Sequence, residues 1–332
     1  MRVQQLSAAA PIASRPLVAV ERSDPQPGRG EVRVRVHACG CCRTDLHVVE
    51  GDLELTRLPI VPGHQVVGHV DALGADCALL GVGDRVGVPW LHHTDGVCEF
   101  CVRGEENLCI AAEFTGWTVD GGYADMIVVP EDFAVRLPAD LDDLAAAPLL
   151  CAGVIGYRAL RRAEVQEGER VALLGFGASA PLALQVLQHW GCEVVVMTRG
   201  EHHRELARAL GAAWVGGAAD PPPQPCDRAI VFAPAGELVP VALEAVRAGG
   251  TVALAGIHMS DLPSMPYELL WHERTLRSVA NMTRADAQEF MDLAAVAGVR
   301  VSYEVFPLEA ANDALLAIAT DAVRGAAVLQ IA

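Results

Sequence analysis

The sequence predicts an α/β protein in which a doubly wound parallel sheet is joined to a second, β-rich region. Three observations carry this reading. From Arg170 onward, apolar strand-like runs alternate with helical segments, the order that builds a parallel sheet with helices on both faces. The first of these runs ends in Gly175-Phe176-Gly177-Ala178-Ser179-Ala180, a Gly-x-Gly-x-x-Ala turn that opens a helical segment. Residues 1 to about 130 are instead broken every several positions by Gly, Pro and Asp, as in short strands joined by turns.

The elements follow in chain order. Val32, Val34 and Val36 alternate with Arg33, Arg35 and His37, the period-two pattern of a half-exposed strand. Around Leu141 to Leu150 the composition shifts to Ala and Leu, which predicts helix. VALLGFG then reads as a buried strand, PLALQVLQHWG as a helix, EVVVMTR as a strand, and HRELARALGA as a helix ending at Gly211. AIVFAPA and TVALAGIHM are further strands. Residues 215–227 hold the Pro-rich run PPPQPCD, read as a surface loop. The C-terminal part carries a helix over Arg284 to Gly298, a strand near Val301 to Val305 and a helix over Leu308 to Ala319. No internal repeat is visible.

Composition narrows the function. With 332 residues the chain has room for two cores. A hydrophobic content of 52% and 31 glycines fit an α/β enzyme and argue against disorder. The net charge of −17, from 42 acidic against 25 basic residues, opposes a nucleic-acid or anionic-membrane partner. The most apolar window, Val171 to Leu187, contains Gly175, Gly177, Ser179, Pro181 and Gln185, so strand, turn and helix explain it better than a membrane span. The first twenty residues hold no sustained apolar core, so no export signal is read. A cytoplasmic location follows, with reduced cysteines whose clustering means metal rather than disulfides.

Two clusters stand out. Asp95-x2-Cys98-x2-Cys101-x7-Cys109 has the short spacing of a closed structural zinc knot. Cys42, His64 and Cys151 are widely spaced, as in a site assembled by folding, with three protein ligands and room for a substrate. Cys39 and Cys41, just before Cys42, match no ligand position, and Cys77, Cys192 and Cys226 read as small packing residues. His37, His69, His92, His93, His189, His202, His203, His258 and His272 lack such support, each read as satisfied or solvated.

The glycine turn follows a strand and precedes a helix, which points to a dinucleotide whose pyrophosphate sits at the helix N-terminus. Gly175, Gly177 and Ala180 are its cofactor-binding candidates. A grip on a free ribose 2′-hydroxyl needs an acid at the end of the second strand. That strand ends in Met197-Thr198-Arg199. Thr198 and Arg199 suit a 2′-phosphate, so NADP is expected over NAD, the alternative being a solvated Arg199 on a turn.

Cys42-Arg43-Thr44-Asp45-Leu46-His47, Pro62-Gly63-His64 and Pro148-Leu149-Leu150-Cys151-Ala152-Gly153 occur in that order. With the Cys-rich run and the glycine turn, they resemble the zinc-dependent alcohol dehydrogenases of the medium-chain dehydrogenase/reductase superfamily, over almost the whole chain. The resemblance implies a GroES-like catalytic domain of residues 1–152 plus 284–332 and a Rossmann cofactor domain of 153–283. It implies two zinc ions per chain: a catalytic one on Cys42, His64 and Cys151, and a structural one on Asp95, Cys98, Cys101 and Cys109. Asp45 would orient His64, a turn cap being the plainer alternative. Thr44 would hydrogen-bond the substrate oxygen, His47 would relay the proton through the nicotinamide ribose, and Arg43 would face the cofactor pyrophosphate.

Three positions depart from the family pattern. Gln65 stands where the family has Glu, Asp95 where it has the first lobe cysteine, and Ala326-Ala327 where many relatives place a cofactor-binding Arg. Leu53 follows Gly51-Asp52 where small-alcohol members often carry Trp, which opens the pocket, walled by Trp90 and Trp117, to medium-chain or aromatic primary alcohols. The expected activity is hydride transfer between such an alcohol or aldehyde and NAD(P), in a homodimer or homotetramer. The alternatives are a zinc-independent quinone or enoyl reductase of the same fold and a non-catalytic nucleotide- or zinc-binding relative.

Overall fold

The computed structural model describes residues 1–257 and 259–332; His258 lies outside them. The chain forms two compact units. The first comprises Met1–Cys151, Asn281–Ala295 and Arg300–Ala332, and the second Ala152–Ala280 with Val296–Val299.

The first unit is built on a seven-stranded sheet. Its path runs Tyr303–Pro307, Ala326–Gln330, Glu31–Cys41, Gln65–Leu73, Arg85–Val88 and Val135–Arg136, with Met126–Pro130 also pairing Glu31–Cys41. Val32, Val34 and Val36 are fully buried, as their alternation with charged residues predicts. Beyond His37 the alternation stops, because Ala38, Cys39 and Cys41 are buried as well. The pairing of Glu31–Cys41 with Gln65–Leu73 shifts register between Val36 and Ala38, a bulge of the kind that re-aims a strand end. Here the re-aimed end delivers Cys42.

Two elements of this unit go beyond the sequence reading. A helix, Arg43–Glu50, starts right after Cys42, and Ala326–Gln330 is a strand paired antiparallel to Glu31–Cys41. The helix predicted around Leu141 to Leu150 is the start of a longer run: Asp143–Pro148, a π-helical turn at Leu149–Gly153, then Val154–Arg162. Among the described residues, only Asp143–Arg162 is long and apolar enough to cross a membrane, and 67% of its apolar window is buried inside the protein. That burial marks a core helix.

The second unit holds a six-stranded, wholly parallel sheet in the order Trp214–Gly216, Glu193–Met197, Arg170–Leu174, Cys226–Val231, Val246–Leu254 and Thr275–Ser278. The central strands are continuous apolar runs, with Leu173, Leu174, Val195 and Val196 fully buried, as burial on both faces requires. The predicted loop over 215–227 is shorter than expected. The strand Trp214–Gly216 enters it and Cys226 already belongs to the next strand. Helix Leu238–Ala245 carries Pro240 in its first turn, and the edge strand reads Thr-Leu-Arg-Ser; neither announces itself in the sequence.

In the first unit His92 is buried, with Nδ1 3.4 Å from the Thr115 hydroxyl. Burial, with the nearby His93 adding to it, pushes its pKa down from 6.5 to about 4. The unfolded chain therefore takes up this proton first, so the stability tied to neutral His92 is fully present above about pH 6.5 and is lost as pH falls toward 4. The loss amounts to about 3 kcal/mol. His92→Gln should flatten the fall of the thermal midpoint across that window. Unchanged slopes in calorimetry would show that His92 does not titrate on unfolding.

Candidate active site

The helix Arg43–Glu50 builds the first corner of the site. Cys42 is its N-cap, in extended conformation, and its sulfur accepts the Thr44 N–H at 3.3 Å. Asp45 reaches back to accept the Cys42 N–H at 2.9 Å. This reciprocal capping arrangement fixes the thiol at the helix entry. His64 follows Gly63, whose φ of +100° strains any other residue. A Cβ at Gly63 would also collide with the Tyr123 ring and the Cys39 sulfur. Cys151 sits in the π turn at Leu149–Gly153, a widened turn of a type often found at functional positions.

These three residues meet. Nε2 of His64 lies 3.5 Å from Cys42 Sγ and 3.3 Å from Cys151 Sγ. The other ring nitrogen, Nδ1, is 2.9 Å from Asp45 Oδ1, and both His64 and Asp45 are buried. Asp45 is thus both a cap and the partner of His64. Two sulfurs and one inward-facing imidazole nitrogen, all within 4.8 Å of one another, match the donor set of a zinc site with a fourth position open.

The second cluster also assembles. The ligand atoms of Asp95, Cys98, Cys101 and Cys109 lie within 4.8 Å of one another. Asp95 Oδ1 accepts the N–H groups of Val97 and Cys98 at 3.0 and 2.9 Å, which leaves Oδ2 for a cation. In the second unit, Gly175 adopts φ +88° against Ala233, whereas a Cβ on Gly177 would meet open space. Ala180 is the first residue of helix Ala180–His189 and fully buried. The turn therefore packs through Gly175 and Ala180 and stays open above Gly177.

Known proteins agree with this arrangement. Residues 28–139 match the family model of the alcohol dehydrogenase GroES-like domain, and residues 181–296 that of the zinc-binding dehydrogenases. A probable alcohol dehydrogenase of Mycobacterium tuberculosis is 48% identical over 100% of this chain and 97% of its own length. An alcohol dehydrogenase of Geobacillus stearothermophilus is 34% identical over 96% of this chain and 97% of its own. The chain belongs to the zinc-type alcohol dehydrogenase family. Among solved structures, a cinnamyl alcohol dehydrogenase of Sorghum bicolor superposes with a TM-score of 0.88 at 28% identity, covering 98% of this chain and 97% of that one. The protein is accordingly an oxidoreductase, an alcohol dehydrogenase acting on small-molecule alcohols or aldehydes.

The electrostatics of the dehydrogenase site follow from burial. A hydrogen bond from Cys151 pulls the Cys42 thiol well below its ordinary value against the opposing effect of burial, and the His64 charge adds to the fall. Cys151, the donor, is pushed well up. Burial raises the Asp45 carboxyl, with His64 opposing. For His64, burial acts downward, but Asp45 and Cys42 outweigh it and raise the ring to about 10. In the Cys-rich lobe, the backbone N–H groups of Cys98 and Val97 hold the Asp95 carboxyl far down, and burial lifts Cys101 to about 11.

The remaining predicted residues are dispersed. Thr44 is half-buried on the first helical turn beside Cys42. His47 lies one turn on, its Nδ1 2.7 Å from Asp52. Arg43 pairs with Asp321 at 2.5 Å rather than pointing freely. Thr198 is buried at the end of its strand, and Arg199 is exposed, without a hydrogen bond or ion pair among the described residues. Gln65 is buried with Nε2 unpartnered.

Sequence reasoning missed Arg204, the role of Asp52, and the contact that Trp90 makes with His64. Arg204 donates to the Thr198 carbonyl at 3.0 Å. Asp52 holds His47, which Gly51-Asp52 alone does not announce. Trp90 meets His64 edge-on at 4.9 Å and stacks on Trp117 at 5.7 Å with a 10° tilt, Phe114 completing the stack. The paired indoles in sequence were a signal for a wall, but not for its contact with His64.

Asp45→Asn removes the charge that holds His64 up, leaving burial to act. The imidazole, now near 10, should deprotonate at a clearly lower pH in an NMR titration of chelator-treated protein. An unshifted titration would mean that Asp45 does not govern this ring.

Proposed function

We propose that this dehydrogenase interconverts a primary alcohol, medium-chain or aromatic, with its aldehyde, using zinc on Cys42, His64 and Cys151 and NADP as the hydride carrier. When bound, zinc lends Lewis acidity to the alcohol or carbonyl oxygen and the nicotinamide exchanges hydride with its carbon. The chain's own groups do the remainder. The hydroxyl of Thr44, two residues from Cys42, accepts the proton of the substrate hydroxyl as it gives up its own. His47 passes it on toward solvent, its ring oriented by Asp52. Asp45 keeps Nε2 of His64 as the inward donor by occupying Nδ1. That contact, a buried carboxylate 2.9 Å from an imidazole whose far nitrogen sits between two thiols, is the observation that best supports the reading.

Further assignments rest on the same basis. Gln65, uncharged and buried beside His64, leaves the site one negative charge poorer than a glutamate would, favouring a more electrophilic zinc. The Trp90–Trp117–Phe114 stack offers a flat ring a platform next to His64, and Leu53 in place of an indole leaves room for it. Residues 1–152 with 284–332 serve as the catalytic domain and 153–283 as the cofactor domain. Arg199, exposed and unpaired, takes the 2′-phosphate with Thr198, while Gly175, Gly177, Ala180 and Arg43 accommodate the pyrophosphate. Asp95, Cys98, Cys101 and Cys109 hold a second, structural zinc. Thr275–Ser278 pairs on one side only among the described residues, and Tyr267 and Trp271 near it in sequence are exposed, which suits a homodimer or homotetramer. Ten free cysteines suit the cytoplasm.

Metal analysis should give two zinc ions per chain. Cys42→Ser or His64→Ala should give one, abolish turnover and leave nucleotide binding intact. Full activity in a metal-free preparation would sink the mechanism. Arg199→Ala should raise KM for NADP by about tenfold or more, the worth of a charged hydrogen bond, and leave KM for NAD nearly unchanged. Equal effects on both cofactors would remove Arg199 from the phosphate site.

A further inference from the structure

All 25 basic residues of this chain are arginine; there is no lysine in 332 positions, although Lys is among the commonest residues of globular proteins. We infer that the dehydrogenase is thereby chemically inert toward the free aldehyde it makes or consumes, and can work in sustained contact with amine-reactive aldehydes. The inference rests on the proposed alcohol–aldehyde chemistry.

The argument is one of nucleophiles. An aldehyde is captured when an unprotonated primary amine attacks its carbonyl carbon: the C=O bond is replaced by C=N, and the oxygen leaves as water with the two amine hydrogens. A guanidinium stays protonated at any working pH and cannot take part as an amine does. Arginine still meets the electrostatic needs that lysine serves elsewhere. Arg2 pairs with Asp125, Arg15 with Asp313, Arg33 with Asp71 and Arg170 with Glu193.

The primary amine that remains is the α-amine of Met1. It donates to the Arg22 carbonyl at 2.7 Å and to Asp24 Oδ1 at 3.2 Å. Thiols, the other trap for conjugated aldehydes, are covered in parallel. All ten cysteines are buried or half-buried. Five of them belong to the two metal-competent clusters. Of the others, Cys39, Cys41, Cys192 and Cys226 are buried, and half-buried Cys77 directs its sulfur at the Glu31 carbonyl at 3.1 Å. Burial raises the Cys226 thiol to about 12, which suppresses its thiolate. The exposed imidazoles of His202 and His203 lack a primary amine and form no imine.

The test incubates the purified zinc-loaded chain with excess cinnamaldehyde and cyanoborohydride, which reduces any imine to a stable amine, and reads intact mass, thermal midpoint and residual activity. The expected result is at most one adduct, on Met1, with midpoint and activity retained. The double variant Arg15→Lys, Arg29→Lys alters only exposed ion pairs with Asp313 and Asp76 and should gain up to two further adducts. Several adducts on the unmodified chain, or its inactivation as fast as the lysine-bearing variant, would overturn the inference and reduce the missing lysines to a matter of composition. Adduct counting needs no turnover. A chain that stays free of adducts yet oxidises no alcohol would refute the dehydrogenase reading separately.

Discussion

The carboxylate of Asp45 is the constraint around which the site is organised. One oxygen accepts the Cys42 N–H and the other faces His64 Nδ1. A single buried anion therefore ties the start of a helix to the loop that follows Gly63, two segments about twenty residues apart in sequence. Leaving such a group buried without partners would cost several kcal/mol. Both of its oxygens are instead engaged, and the geometry that satisfies Asp45 is the geometry that turns two sulfurs and one imidazole nitrogen toward a common point. Stability and chemical competence draw on the same contacts here, so they should fail together.

The surroundings of that anion explain the division of charge within the site. Cys42 and Cys151 are both half-buried cysteines, yet one is pulled toward thiolate and the other held as thiol. The difference is direction: Cys151 donates, while Cys42 accepts from Cys151 and from the Thr44 N–H. Cation binding would discharge this internal ion pair, expelling protons from His64 and Cys151, which is why affinity at such sites depends on pH. In the Cys-rich lobe the same logic runs through backbone amides. Asp95 is anchored as an anion by two N–H groups, so an oxygen ligand there is positioned without help from a fourth sulfur.

Much of this was legible in the sequence, for reasons that differ by region. The parallel sheet was readable because its central strands are buried on both faces and appear as apolar runs rich in Val, Leu and Ala. The clusters were readable because Cys and Asp at two- and seven-residue spacings have few other uses. What stayed hidden depends on long-range pairing. Ala326–Gln330 is a strand because Glu31–Cys41 lies beside it; its own residues say little. Arg43–Glu50 mixes charged and apolar residues over eight positions, too short for a helical period to declare itself. The Trp90–His64 contact joins residues 26 apart, and the capping role of a cysteine runs against the usual preference for Ser, Thr, Asp or Asn.

The π turn at Leu149–Gly153 has a consequence for how this site can vary. It holds one residue more than a regular helical turn, and Cys151 lies within it. Each residue of an α-helix advances the face by about 100°. Deleting any one residue between Leu149 and Gly153 would relax the run into a plain helix while swinging the sulfur of Cys151 to another side. The widened turn thus sets the side of the helix from which Cys151 projects. A change of length along this stretch therefore moves the cysteine further than a change of side chain does, because each residue gained or lost turns the helix by about 100°.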